Sequence, residues 1–132
     1  MTLFGAMNIA GSGLVLQRKW LDAVSDNIAN INTVRSTSGN AFQARYVVAQ
    51  ANDYGNAAGV QVGGIEYGDA TGRVVYQPDH PLADADGNVR LPDIDLSDQM
   101  TQLIMAQRGY QANLAVVERA QAAYQQAIGL GR

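Results

Sequence analysis

The stretch MNIAGSGLVLQRKWLDAVSDNIANINT, residues 7–33, decides how this chain folds. Within it Met7, Leu14, Leu21 and Ile28 recur every seven residues, and Ala10, Gln17, Val24 and Ile31 repeat that interval three positions later. Two columns offset in this way make a heptad stripe of a and d positions, interrupted only by Gln17. The spacing predicts a helix over about residues 6–32, roughly 40 Å long at 1.5 Å per residue. Gly11 and Gly13 weaken its beginning, each by about 1 kcal/mol relative to Ala.

The last third of the chain carries the same period. Met100, Gln107, Leu114, Gln121 and Ile128 fall in one heptad column, and Leu96, Leu103, Tyr110, Val117 and Tyr124 in another. Pro92 disfavours helix before it, Asp95 or Ser97 can cap, and Asp98 suits the positive end of a helix dipole. Gly129 and Gly131 close the segment. Two long striped helices at opposite ends of one chain are expected to pair as an antiparallel coiled coil. Met7, Leu14, Leu21 and Ile28 would then pack against Leu103, Tyr110, Val117 and Tyr124. The same stripe would also serve an ordinary helical-bundle core.

Between the helices the period drops to two. Phe42, Ala44, Tyr46 and Val48 alternate with Gln43 and Arg45, which reads as a strand. Val60 with Val62 and Val74 with Tyr76 support two more, and Ile65 with Tyr67 extends the first of that pair. Asp86-Gly87, between Leu82 and Val89, signals a turn. The expected fold is therefore α+β: an N-terminal helix within residues 1–33, a small β-rich segment over 34–94, and a C-terminal helix within 95–132. The middle is marginal as a core of its own and has to lean on the helices or on a neighbouring molecule.

Composition narrows the function. The 132 residues are 47% hydrophobic but only 7% aromatic and 16% charged, too apolar for a disordered tail. A net charge of −3 offers no basic footprint for nucleic acid or anionic lipid. The chain has no cysteine, which removes disulfides, thiol catalysis and Cys-ligated metals. The acidic residues Asp79, Asp84, Asp86, Asp93, Asp95 and Asp98 crowd together. They lack the alternating ligands and distal Glu of a calcium loop and read as a solvated turn followed by a helix start. His80, the single histidine, lies between Pro78-Asp79 and Pro81, with no nucleophile or positioned partner in sequence reach. The glycines around Gly63-Gly64 do not form a phosphate loop. No enzyme, cofactor, metal or small-molecule substrate is expected. Residues 1–17 are too interrupted by glycine to span a membrane, and nothing basic precedes them as in a signal peptide. Export, if it occurs, is expected to proceed without cleavage of a signal.

The amides carry more information. Asn27, Asn30 and Asn32 crowd the end of the first helix, where Asn is a mediocre helix former. Asn27 flanks the heptad seam, and Asn113 holds the corresponding place on the second helix. A primary amide both donates and accepts, so it can bridge polar groups across a packed junction. With Gln17, Gln107 and Gln121, these amides are expected to set register.

These same residues resemble the flagellar rod/hook axial family, most closely its proximal-rod branch. Ser25, Asn27, Ile28, Ala29, Asn30 and Thr33 match its N-terminal signature, and Tyr110-Gln111-Ala112-Asn113 after Arg108 its C-terminal one. Asp79-His80-Pro81-Leu82-Ala83-Asp84-Ala85-Asp86-Gly87-Asn88-Val89 and Leu91-Pro92-Asp93-Ile94-Asp95 are similar to segments of the proximal-rod type. His80 and Asp93 stand where Asn is commoner, and the link over residues 34–41 is polar and variable-looking, so no function is carried onto it.

The resemblance implies a structural subunit of the bacterial flagellar basal body, polymerising into a helical rod in the periplasm that transmits torque. Its implied partners are copies of itself, other rod subunits and the flagellar type III export apparatus, which passes such subunits without cleaving a signal peptide. Asn27, Asn30, Gln111 and Asn113 are the expected junction residues between subunits. The other class such a helix pair could serve is a helical binding or adaptor module of a type III secretion system.

Overall fold

A computed structural model describes residues 3–52 and 58–131. The elements run α1 (Leu3–Asn30), β1 (Arg45–Ala51), β2 (Val60–Tyr67), β3 (Arg73–Tyr76), β4 (Asn88–Leu91) and α2 (Leu96–Leu130). The α+β architecture is the one the periodicities imply, with two long helices paired antiparallel. Contacts inside each region fix that direction, because Phe4 meets Tyr124, Gln17 meets Asn113 and Asn27 meets Gln99.

The helix ends follow local chemistry. Asp95 caps α2: its carboxylate accepts the Asp98 N–H at 3.0 Å and its carbonyl accepts the Gln99 N–H at 3.1 Å. At the far end the Gly131 N–H returns to the Ile128 carbonyl at 3.2 Å. Asn30 closes α1. Its side-chain amide donates to the Asp26 carbonyl at 2.8 Å, and its Oδ1 accepts the Thr33 hydroxyl at 3.1 Å.

The strands form two ribbons, β1 with β2 and β3 with β4. Asn52 N–H to Gly59 O and Gly68 N–H to Ala44 O, both 2.8 Å, bracket the first ribbon. The first strand starts at Arg45, later than the alternation from Phe42 suggests. Ala41 and Ala44 lie before it, buried and bonded through Ala41 N–H to Ala70 O at 2.9 Å and Ala44 O to Gly68 N–H. Phe42 and Gln43, between them, are both half-buried, so the alternation there marks neither a ladder nor a buried face.

Strand β4 was not anticipated. It pairs antiparallel with β3 in the register Arg73–Leu91, Val74–Arg90, Val75–Val89 and Tyr76–Asn88. The Asp86-Gly87 turn leads into it, with Gly87 at a φ of 77°, where a side chain would be strained. Arg35, in the polar link that follows α1, exchanges two backbone hydrogen bonds with Arg90 (2.8 and 2.9 Å), extending the ribbon.

The chain forms two compact units. One comprises Met1–Leu21, Val47–Gly64 and Ile104–Arg132, the other Asp22–Tyr46 and Ile65–Leu103. Each draws on both helices and on the middle of the chain, so the β segments lean on helix in both. Ala10, Ala106 and Ala120 are buried in the first unit. Val24, Ala41, Ala44, Val89, Leu91 and Ile94 are buried in the second. Alternate residues of β4, Val89 and Leu91, face inward, as a half-buried strand requires.

Candidate functional site: an amide-locked seam and an exposed apolar stripe

The line along which the helices approach is made of small residues and amides. On α2 it is the column Gln99, Ala106, Asn113 and Ala120, three of which are buried. On α1 it holds Ala10, Gly13, Gln17, Val24 and Asn27. The bulky column flanks this seam. Met7, Leu14, Leu21 and Ile28, with Leu103, Tyr110 and Val117, are half-buried, while Tyr124 is 44% exposed with its ring edge-on to Phe4. Small residues let two backbones come closer than leucines allow, and the larger side chains then cover the edges.

In the first unit the seam is held by a reciprocal arrangement. Asn113 Nδ2 donates to Gln17 Oε1 at 3.1 Å. A Cβ placed on Gly13 would lie 2.6 Å from Asn113 Nδ2, and one on Gly109 would meet the Gln17 amide closer still. Each helix thus presents an amide to a glycine on the other. A side chain at Gly13 or Gly109 would have to push the facing amide aside, and Gln17, which interrupts the apolar stripe, is half of the lock.

In the second unit Asn27 joins three elements. Its Oδ1 accepts the Arg45 N–H at 2.8 Å, and its Nδ2 donates to the Arg45 carbonyl and to Gln99 Oε1, both at 3.0 Å. The side chain treats Arg45 as a strand partner would, anchoring the start of β1 to α1, and reaches α2 through Gln99. Both amides are almost wholly buried, at 0% and 1% exposure. An ion pair from Arg45 to Asp26 flanks the junction, half in solvent.

The amides expected at subunit junctions therefore divide. Asn27 and Asn113 bind within the chain; Asn27 is sealed from any neighbour. Asn30 is half-buried and ties the end of α1. Gln111 is exposed.

Gln111 belongs to a second feature. Leu96, Met100, Ile104, Gln107, Gln111 and Leu114 follow one another at three- and four-residue intervals on one face of α2, and all are exposed. Met100 is 44% open, Ile104 47% and Leu114 38%. The column Met100, Gln107, Leu114, Gln121 and Ile128, read from sequence as part of a packing stripe, is thus a surface one. The correction has a physical cause: heptad spacing reveals an apolar face but not which neighbour covers it. Only four of the 35 residues of α2 are charged, Asp98, Arg108, Glu118 and Arg119, few for a face meant for water.

The acidic region is a built turn. Asp84 Oδ1 accepts the backbone N–H groups of Asn88 (2.8 Å) and Asp86 (3.0 Å), and its Oδ2 accepts the Thr37 hydroxyl at 2.8 Å. The Asn88 bond, then the Thr37 bond, holds the carboxyl below the usual aspartate range. His80 Nδ1 accepts the Leu82 N–H at 3.1 Å and so shapes its own turn. Among the described residues no three His, Cys, Asp or Glu side chains converge as metal ligands, and no helix is long and apolar enough to cross a membrane.

Comparison with known proteins places these features. The family model "Flagella basal body rod protein" matches residues 7–35, and "Flagellar basal body rod FlgEFG protein C-terminal" matches residues 85–130. Over 134 aligned residues, all of both chains, the sequence is 35% identical to flagellar basal-body rod protein FlgC of Escherichia coli O6:H1. It is 34% identical to the Salmonella typhimurium FlgC over the same span. The Bacillus subtilis FlgC is 30% identical over 150 residues, again covering both chains entirely. Both signatures fall within the matched regions, one on each helix of the amide-locked pair, and the chain belongs to the FlgC family of flagellar basal-body rod proteins.

Proposed function

We propose that this structural subunit of the basal-body rod polymerises with copies of itself and with other rod subunits into a helical shaft in the periplasm. The shaft transmits torque by rigid packing, and no catalytic step is involved. The observation that carries the reading is the exposed apolar stripe of α2, on a helix whose seam with α1 is already filled. Polymerisation through different patches on identical subunits produces an open helical array, and such patches are apolar before assembly.

Torque needs a subunit that does not shear. The amide pairs supply this, because a slip of one heptad would part Gln17 from Asn113 and Gln99 from Asn27 and leave those amides facing neighbours that cannot replace the bonds. Gln111, within the stripe, and Asn30, at the end of α1, are the amides we assign to junctions between subunits. Asn27 and Asn113 hold the subunit itself. We further infer that the chain reaches the rod through the flagellar type III export apparatus without losing a signal peptide. The adaptor alternative has no comparable support.

Ile104→Glu tests the stripe. Because Ile104 is 47% exposed, its stability should change by no more than about 0.5 kcal/mol. In cells lacking the native copy, the variant should be made and folded but absent from purified basal bodies, and swimming should be lost. Normal swimming would remove the stripe from the interface.

A further inference from the structure

The β3–β4 ribbon of the second unit carries charges that the chain itself leaves unmatched. Arg35 and Arg90 exchange both backbone hydrogen bonds, so they stand directly opposite each other, side chains on one face and Cα atoms about 5.5 Å apart. Like charges so placed repel, and the pair costs stability. Val89 and Leu91 turn inward, which puts Arg90 on the outer face beside Val74, its partner on β3. Tyr76 lies on that face too, opposite Asn88. Val74 is 56% open and Tyr76 69%.

Neither guanidinium finds relief inside the chain. Among the described residues neither forms an ion pair or a side-chain hydrogen bond, and Arg90 Nε is shut off from water with no acceptor. Asp69 is near enough to feel Arg90 but is engaged elsewhere. The Thr71 hydroxyl, then the Thr71 N–H, hold its carboxyl below the usual aspartate range, and the charge of Arg90 adds the least.

The complement lies at one end of the same ribbon. Two turns close that end, with the Gln77 N–H bonded to the Gly87 carbonyl and the His80 N–H to the Gln77 carbonyl. Asp79 and Asp86 lie in these turns, both exposed, and among the described residues neither carboxylate has a partner. Asp84 beside them is spent on Thr37, Asn88 and Asp86. Within one copy no ion pair joins this acidic end to the arginine row.

We propose that Arg35 and Arg90 of one copy bind the carboxylates of Asp79 and Asp86 of the next, ribbon end against ribbon face. An arginine fork matches a carboxylate, and the exposed Val74 and Tyr76 beside the row shelter such pairs from water. The inference rests on the assembly reading above and names one of its contacts. It joins two different patches, so it repeats from copy to copy without closing on itself.

Arg35→Glu separates this contact from a role in the fold. In the isolated chain it turns a repelling pair into an attracting one and should raise the melting temperature by roughly 1–4 °C. In cells lacking the native copy, the same variant should be lost from purified basal bodies. Arg35→Glu with Arg90→Glu should be lost as well. Adding Asp79→Arg and Asp86→Arg to that chain should bring it back, because every copy then carries the reversed charge on both patches. The melting transition of each isolated variant shows that it folds. A lowered melting temperature for Arg35→Glu, normal incorporation of the double arginine variant, or failure of the exchanged chain to return would each overturn the contact and leave the rod reading intact. Basal bodies from which even the unmodified chain is absent would overturn both.

Discussion

Gly13 and Gly109 sit where a methyl group does harm. An alanine in a helix interior ordinarily gains about 1 kcal/mol over glycine. At Gly13 the added carbon would lie 2.6 Å from the Asn113 amide and displace it from Gln17. Gly13→Ala should therefore bring no gain in urea-unfolding stability, whereas in an Asn113→Ala background the same change should recover about 1 kcal/mol. Equal effects in both backgrounds would dissolve the lock. Asp84 supplies a pH signature. Its carboxyl is depressed in the fold, so its contribution is complete above the unfolded value near pH 3.9 and is lost as pH falls through the lower folded value. The difference in melting temperature between the native chain and Asp84→Asn should be constant from about pH 7 to 5 and shrink below about pH 4. A constant difference down to the most acid point would show that the Asn88 and Thr37 bonds do not favour the ionised form.

Among the elements, the helices were legible and the contact line between them was not. Seven-residue spacing and the Asp95 cap mark α1 and α2 almost to their ends, because periodicity and capping are local. Which column lies innermost depends on how closely two backbones approach, and that is set by Gly13, Gly109, Ala106 and Ala120, residues without apolar bulk to draw attention. Strand β4 escaped notice for a similar reason: Val89 and Leu91 alternate over only four residues, and the strand's partners, β3 and (at Arg90) Arg35, lie apart from it in sequence. The amides were recognised as register-setting from their crowding. That Asn27 reaches Arg45 could not be seen without the fold, since the bond links residues 18 apart through a backbone. The two columns of α2 should respond oppositely to change. Leu114→Ala, on the exposed column, should alter stability by no more than about 0.5 kcal/mol, while Ala106→Leu, at a site with no exposure, should cost about 1–3 kcal/mol by overpacking. Chemical denaturation of both variants checks this, and the reverse order would restore the bulky column to the seam.

At the scale of the whole molecule, the chain combines a filled seam with an unfilled face. An apolar-rich, charge-poor composition first reads as one chain's core, yet Leu96, Met100, Ile104, Leu114, Ile128 and Leu130 remain open to solvent. A subunit built for incorporation should therefore be protected unevenly before assembly and more evenly after it. Amide hydrogen exchange, compared between the isolated chain and the chain within purified basal bodies, tests this most directly. The account predicts that residues 121–130 exchange freely in the isolated chain and become protected in the basal body, while residues 13–27 and 99–113 are protected in both. Unchanged exchange over residues 121–130 on incorporation would contradict it.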